Sequence, residues 1–459
     1  MIKSLSLTNF KSWQQIDQMR LAPITGLFGT NSSGKTSILQ WLLLLKQTVT
    51  SSDRQQVLNL GDERNPVQLG TFKDIVFQHK QPGHLSWTID WSLPDTLEVL
   101  DPERRGEQLF RSDEMRFESN VSDEDGRVFV ESMGYFFDGH EFRYTKKETT
   151  KGKGKGYKLS VDDSCGFQFR RTPGRVWDLP SPVKCYGFPD QVNSYFQNTG
   201  FLTDFQLAFE ELFNRLYYLG PLREYPRRQY TWGGAQPADM GERGEKVIDA
   251  ILSSRQSGEK ISRGQGKKRF TVEEYAAYWL KELGLISDFS IGRVAKGSNL
   301  YQVKVKKTQH SSEVLITDVG FGISQILPVI VLCYYVPEGS TVLLEQPEIH
   351  LHPSVQSGLA DVFLDAMRTR KIQFIIESHS EHLLRRWQRR IAENNDGVSP
   401  EEMALYFCNL DETASTLSEL DIDDFGNIRN WPKDFFGDEF GEIAAMTKAA
   451  ARRKRDSAA

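Results

Sequence analysis

Cysteine is scarce in this sequence, long apolar runs are missing, and neither sign of charge dominates. Each shortage excludes something. The four cysteines, Cys165, Cys185, Cys333 and Cys408, lie far apart with no Cys-x-x-Cys pair. Neither a disulfide framework nor a cysteine-held metal is therefore expected, and they read as buried thiols of a reducing compartment. The longest apolar stretch, Ile326 to Val336, is shorter than the roughly 20 residues a membrane-spanning helix needs. The first residues, Met1 to Leu5, build no secretion signal. No membrane partner and a cytoplasmic location are the expectation. Lysine and arginine number 57 against 62 aspartates and glutamates, a net charge of −5. A generally basic nucleic-acid coat is excluded, and any such contact would have to come from a local patch.

What is present is ordinary for a globular chain. Of 459 residues, 39% are hydrophobic and 26% charged, enough for two to four domain-sized units. Leu5 and Leu7 alternate with Ser4, Ser6 and Thr8, a strand pattern. The apolar run Ile24 to Phe28 ends in a Gly-rich turn, and Thr36 to Val49 reads as a helix. From about Asp74 to Asp190 the character changes. Leu85, Trp87, Ile89 and Trp91 alternate with polar residues, Arg127 to Tyr144 resembles a hairpin, and Tyr157 to Arg170 another strand pair. That is the signature of an antiparallel, β-rich insertion. Ser194 to Leu219, Glu242 to Ser253 and Thr271 to Leu283 read as helices. After a strand at Tyr301 to Val305, helix and strand alternate through Ser324–Tyr335, Thr341–Leu344, Ser354–Thr369, Ile372–Ile376 and Glu381–Glu393, which predicts a parallel α/β core.

Two motifs carry chemistry. Gly29-Thr30-Asn31-Ser32-Ser33-Gly34-Lys35-Thr36, followed by Ser37, matches G-x-x-x-x-G-K-[ST] in full. The glycines let backbone N–H groups turn around phosphate oxygens, a lysine at position 35 reaches the terminal phosphates, a hydroxyl at position 36 suits Mg²⁺, and the helix that follows points its positive end at the anion. Val342-Leu343-Leu344-Glu345-Gln346-Pro347-Glu348 is an apolar strand ending in carboxylates. Ligands of open α/β sheets bind at such strand ends, where a carboxylate can hold Mg²⁺ and a second polar group can orient a water.

At this point the chain resembles a family. Leu344 to Pro353 is similar to the Walker B and D-loop region of ABC-type ATPases of the SMC, RecF and OLD kind. Leu7 to Trp13 resembles their shared opening, Asp318 to Gln325 sits where they carry a signature, and Phe374 to Ser380 resembles the strand that ends in their switch histidine. Leu219 to Glu224 and Gly426 to Phe436 are similar to stand-alone OLD-like ATPases with a small C-terminal domain of unknown function, such as the ATPase subunit of Septu-type antiphage systems. The resemblance implies an α/β P-loop ATPase head with a β-rich and helical insertion. The expected units are an N-terminal lobe at 1–80, the insertion at 81–299, a C-terminal lobe at 300–394 and a small domain at 395–459.

It further implies ATP and Mg²⁺ as ligands, with Thr36, Glu345 and Gln78 toward the metal and Glu345, Gln346, Glu348 and His379 as the catalytic group. Gly322, Ser324 and Gln325 would reach the γ phosphate held by a second copy. Heads would pair around ATP as a homodimer or higher oligomer and switch a separate effector, a nuclease subunit, in antiphage defence. Nucleic acid stays open as a partner. One departure matters: Gln346 stands where the family has a catalytic glutamate, and an amide is no general base. Hydrolysis is then slow, or Glu348 takes the role. The signature is also irregular, and Ser324 reads equally as the N-cap of the next helix. A DNA-repair ATPase acting directly on DNA, a nuclease using Asp421 and Asp423, and a low-turnover nucleotide-binding scaffold are the rival readings. The roughly 70 residues after Glu393 are too few for a nuclease domain of the OLD type. His350, His352 and His382 read as packing or surface residues. Arg223, Arg227 and Arg228, interleaved with Tyr225, Tyr230 and Trp232, read either as a phosphate- or base-stacking patch or as a solvated loop. Two biased stretches, Lys146 to Lys158 and Gly258 to Arg269, read as solvated tips or backbone-tracking patches.

Overall fold

The parallel strands of this chain are apolar on both faces, and that decides the layering. The computed structural model describes residues 1–101, 107–147, 156–162, 166–174, 177–264, 266–394, 397–433, 435–437 and 439–456. In chain order the strands are β1 (Ile2–Phe10), β2 (Trp13–Arg20), β3 (Ile24–Gly29), β4 (His84–Leu100), β5 (Gln108–Glu124), β6 (Arg127–Phe137), β7 (His140–Lys146), β8 (Tyr157–Val161), β9 (Leu216–Leu219), β10 (Tyr230–Thr231), β11 (Asp288–Arg293), β12 (Leu300–Lys306), β13 (Val314–Leu315), β14 (Thr341–Glu345), β15 (Gln373–Glu377), β16 (Met403–Asp411) and β17 (Ala414–Glu419). The helices are α1 (Lys35–Thr50), α2 (Phe72–Ile75), α3 (Asp190–Tyr195), α4 (Leu202–Asn214), α5 (Val247–Ser257), α6 (Val272–Glu282), α7 (Gly322–Tyr335), α8 (Pro353–Arg370), α9 (Glu381–Glu393) and α10 (Glu439–Asp456). None of the described helices is long and apolar enough to cross a membrane.

One sheet runs β17-β16-β3-β15-β14-β9. All neighbours are parallel except β17, which folds back antiparallel on β16. Every residue of β14 and β15 is buried, as expected of strands covered on both sides. Alternate side chains serve two cores. Leu27, Leu343, Ile375 and Cys408 face the core that holds α1. Ile24, Val342, Leu344, Phe374 and Ile376 face the one that holds α7, α8 and α9. A second, antiparallel sheet runs β2-β1-β4-β5-β6-β7-β8. Helix α1 lies between the two sheets and is apolar nearly all round, the mark of a fully enclosed helix. Its Trp41 meets Phe10 of β1 edge-on at 5.0 Å and Trp87 of β4 at 4.9 Å. A smaller sheet joins β11 and β12 to the short β10 and β13.

Most of the expected elements stand where the pattern put them, though the helix expected at Glu242–Ser253 runs Val247–Ser257, and three readings differ outright. Ser194 to Leu219 is not one helix. Helix α4 ends at Asn214, and Leu216–Leu219 is β9, the edge strand of the parallel sheet. A four-residue apolar run after a helix cannot be told from its continuation by periodicity. Among the described residues, Tyr157 to Arg170 supplies one strand, β8, rather than a pair. Ser324 does not cap α7: that helix starts at Gly322, and the Ser324 hydroxyl donates to the Phe321 carbonyl at 2.7 Å within the first turn. Cys165 and most of the lysine-rich stretch, 148–155, lie outside the described residues. Cys185, Cys333 and Cys408 are buried free thiols. Strand pairing runs across the expected domain limits: β4 pairs along β1, and β16 lies beside β3.

Candidate nucleotide site

The C-terminal ends of β3, β14, β15 and β9 emerge on one edge of the parallel sheet, where open α/β sheets bind ligands. Strand β3 leads into the phosphate loop. Gly29 has φ +133°, and a Cβ there would sit 1.9 Å from the Cys408 carbonyl oxygen on β16. Gly34 has φ +91° and would press on Trp13, Ser12 and Ser415. Both positions therefore need glycine for conformation and for space. Trp13 Nε1 donates to the Gly34 carbonyl at 3.0 Å, tying the loop to β2. Thr30, Asn31 and Ser32 are exposed at the tip, Ser37 lies half-buried on α1, and Ser33 and Lys35 are buried. The Lys35 ammonium donates to the Gly29 and Thr30 carbonyls at 3.1 and 2.7 Å. Burial lowers its pKa, with Glu377 pulling the other way.

Strand β15 ends in a carboxylate that meets the loop directly. Thr36 Oγ1 donates to Glu377, 2.8 and 3.0 Å from its two oxygens. The parallel register places Glu345, the last residue of β14, opposite Glu377. Like charges facing across strands are unfavourable, and Glu345 shows it. Burial first, and Glu377 second, raise the Glu345 carboxyl from 4.5 to about 7, against the Tyr218 hydrogen bond and Arg223. Burial also raises Glu377. Tyr218, on β9, donates to Glu345 at 3.0 Å.

Past β14, Gln346 takes a left-handed backbone, φ 44°, and its N–H donates to the Glu377 carbonyl at 2.8 Å. Glu348 then turns inward and is 6% exposed. Its Oε1 accepts the His379 backbone N–H at 2.8 Å, and its Oε2 is buried without a partner. Burial raises its pKa. Partial desolvation against the site, with Lys35 adding to it, lowers that of the His379 imidazole, whose outer edge stays exposed. Ser380 caps α9 by accepting the Leu383 N–H at 3.1 Å, which fixes the chain just after His379. Thus Lys35, Thr36, Glu345, Glu348 and His379 converge, and Gln346 sits beside them.

Other expected residues lie apart. Gln78 is exposed at φ 56° and makes no side-chain hydrogen bond among the described residues. His352 caps α8, its Nδ1 accepting the Ser354 N–H at 3.3 Å. His350 packs its ring against Phe321 at 5.4 Å, beside Gly322 and Gln325. Asp421 pairs with Arg429, and Asp423 closes a turn on Phe425 and Asn427. Arg227 and Arg228 pair with Glu224 and Asp318. In the 258–269 stretch, Arg263 lies between the Phe270 and Tyr278 rings, 4.3 Å from each.

Sequence reasoning passed over Glu377 and Tyr218. The Glu377 signal was available, because Phe374-Ile375-Ile376-Glu377 repeats the apolar-strand-then-carboxylate pattern of Val342 to Glu345.

Family models match three stretches of the chain. Residues 1–98 match "AAA ATPase domain", residues 245–385 match "AAA domain, putative AbiEii toxin, Type IV TA system", and residues 398–446 match "Protein of unknown function (DUF3696)". The fold is that of a P-loop ATPase head. The first matched stretch holds the phosphate loop and the second holds Glu345, Glu348 and His379, so the head is assembled from two separated parts of the chain. Solved structures similar to the head include an SmcHead bound to the C-winged helix domain of ScpA (11% identity, 91% of this chain and 98% of that chain, TM-score 0.44). An SMC head domain from Thermotoga maritima matches at 10% identity over 92% of this chain and 99% of that chain, TM-score 0.41. An Smc head with an extended coiled coil, bound to the C-terminal domain of ScpA derived from Pyrococcus furiosus, matches at 9% over 91% and 96%, TM-score 0.44. A comparison with curated proteins gave no match.

Proposed function

We propose that the head binds ATP with Mg²⁺, hydrolyses it slowly, and pairs with a second copy around the nucleotide, so that ATP serves as the switch for a separate effector. The observation that carries this reading is the meeting of the phosphate loop with Glu345, Glu377 and Glu348 at one sheet edge.

Each residue has a task. The loop amides and Lys35 hold the phosphates, exchanging the Gly29 and Thr30 carbonyls for phosphate oxygens. The oxygen-only donors around Thr36 suit a hard cation. Thr36 and Glu345 would hold Mg²⁺, which supplies charge neutralisation on the phosphates. Gln78, exposed and unengaged, stays outside this set. Glu348 is the proton acceptor for the attacking water, because its Oε2 is buried without an aligned donor and burial raises its basicity. Gln346 orients that water, and His379 stands over the same space. Water adds to the γ phosphorus, the bond to the bridging oxygen breaks, and the water proton passes to Glu348. The resemblance puts Gly322, Ser324 and Gln325 toward the second copy's nucleotide, Ser324 and Gln325 being buried in the single chain, and loss of the γ phosphate removes the contacts that hold the pair. The effector is a nuclease subunit in antiphage defence, a reading that rests on the resemblance of the Leu219–Glu224 and Gly426–Phe436 stretches. Turnover of Gln346→Glu and Glu348→Gln tests the assignment. Glu348→Gln should lower turnover by about 10²-fold or more with ATP affinity kept; full activity of that variant would refute Glu348 as the proton acceptor.

A further inference from the structure

The loop after β9 turns the usual distribution inside out. Leu222 is 60% and Tyr225 73% exposed, while Arg223 between them is 5% exposed. The loop is held this way by its backbone: Gly220 N–H donates to the Glu242 carbonyl at 2.8 Å and Glu224 N–H to the Arg243 carbonyl at 2.9 Å. The Nε and both Nη atoms of Arg223 are buried without a hydrogen-bond partner. Guanidinium groups are rarely buried unless paired, since each N–H that loses water without gaining an acceptor is unfavourable. Tyr218, Glu345 and Glu348 attract it across space, yet burial still brings its pKa down to about 10. Arg223 lines a recess of about 480 Å³ with Gln325, Arg243, His350, Phe321 and Tyr225. Gln325 is 3% exposed, and its Nε2 is a second buried donor without an acceptor. Two orphaned donor groups in one recess ask for an acceptor-rich anion. Arg227 and Arg228, four and five residues further on, are exposed and already paired with Glu224 and Asp318.

We propose that Arg223, with Gln325 beside it, is a receptor for a terminal phosphoryl group, engaged as charge builds on the phosphoryl oxygens. A planar guanidinium offers forked donors that match such oxygens in pairs. The phosphoryl group comes either from the nucleotide on the same chain, beside Glu345 and Glu348, or from that of a second copy facing Gly322 to Gln325. This rests on the ATPase reading above.

The test compares ADP with ADP plus orthovanadate, a mimic of the phosphoryl group in transfer, by calorimetry on the wild type, Arg223→Ala, Arg223→Lys and the exposed control Arg227→Ala. Arg223→Ala should keep ADP affinity within about 2-fold and weaken the vanadate complex by about 10²–10³-fold, with a matching fall in kcat and little change in KM. Arg223→Lys, which keeps the charge facing Glu345 and Glu348, should fall between, and Arg227→Ala should match the wild type. Mixing Arg223→Ala with Lys35→Ala separates the sources: restored trapping assigns the phosphoryl group to the second copy, and no restoration assigns it to the same chain. Wild-type vanadate affinity in both Arg223 variants, or an equal loss of ADP and vanadate complexes with a lower melting temperature, overturns the receptor. A wild type that binds neither ADP nor ATP would instead overturn the ATPase reading itself.

Discussion

Glu345 illustrates how one side chain reports on the whole site. In the folded chain its carboxyl is raised to about 7, while the unfolded chain releases that proton near 4.5. Between these values the folded state binds more protons than the unfolded one, so stability falls as pH rises. Denaturant titration of the nucleotide-free protein should show a loss on the order of 3 kcal/mol between pH 4.5 and 8. Glu345→Gln should flatten that slope, because an amide in the same place neither titrates nor repels Glu377. A slope unchanged by Glu345→Gln would place the titration elsewhere. A half-buried carboxylate away from the site, Asp365, behaves as a structural one. Tyr334 accepts from Trp279 Nε1 and donates to Asp365, each at 2.6 Å, and stacks on Tyr275 at 3.8 Å. Tyr334→Phe removes the donor from a half-buried acid and the acceptor from the Trp279 Nε1, and should cost about 1–3 kcal/mol with ATP binding unchanged. Loss of ATP binding at wild-type stability would contradict that structural role.

At the scale of elements, the phosphate loop depends on a strand almost four hundred residues away. The Cβ that Gly29→Ala would add meets the Cys408 backbone of β16 rather than a side chain that could move. Gly29→Ala should therefore abolish nucleotide binding or destabilise the chain by several kcal/mol. Gly200→Ala, with nothing within 4 Å of its added Cβ, should do neither. Trp41→Ala removes the side chain that fills the space between Phe10 and Trp87 and should cost about 3–5 kcal/mol by urea unfolding. The sequence announced the loop and α1 through the glycine motif, β14 and β15 as short apolar runs ending in a carboxylate, and α9 through its helical period. Helix α9 falls on Glu381–Glu393 as read. It did not announce β9, because Leu216 to Leu219 is too short to show a period of its own. That omission also hid the burial of Arg223, which the sequence groups with the exposed Arg227 and Arg228 and whose inward turn depends on backbone pairing of its loop with Glu242 and Arg243. The pairing of β16 with β3 was likewise illegible, since parallel neighbours far apart in the chain leave no local pattern.

At the scale of the molecule, two sheets enclose α1, and the side chains proposed as catalytic gather where the parallel sheet ends. The exposed Leu222, Tyr225 and Phe321 surround the recess of Arg223 and Gln325, a surface suited to meeting a second copy. Analytical ultracentrifugation of Glu348→Gln with ATP and Mg²⁺ should show a dimer that ADP does not support. A monomer under both conditions would contradict pairing around ATP. The central claim is that the loop from Gly29 to Thr36 holds ATP. It is tested most directly by equilibrium binding of ATP with Mg²⁺ to the purified wild type and to Lys35→Ala. The wild type should bind and Lys35→Ala should lose that binding at an unchanged melting temperature; wild-type affinity in Lys35→Ala would contradict the account.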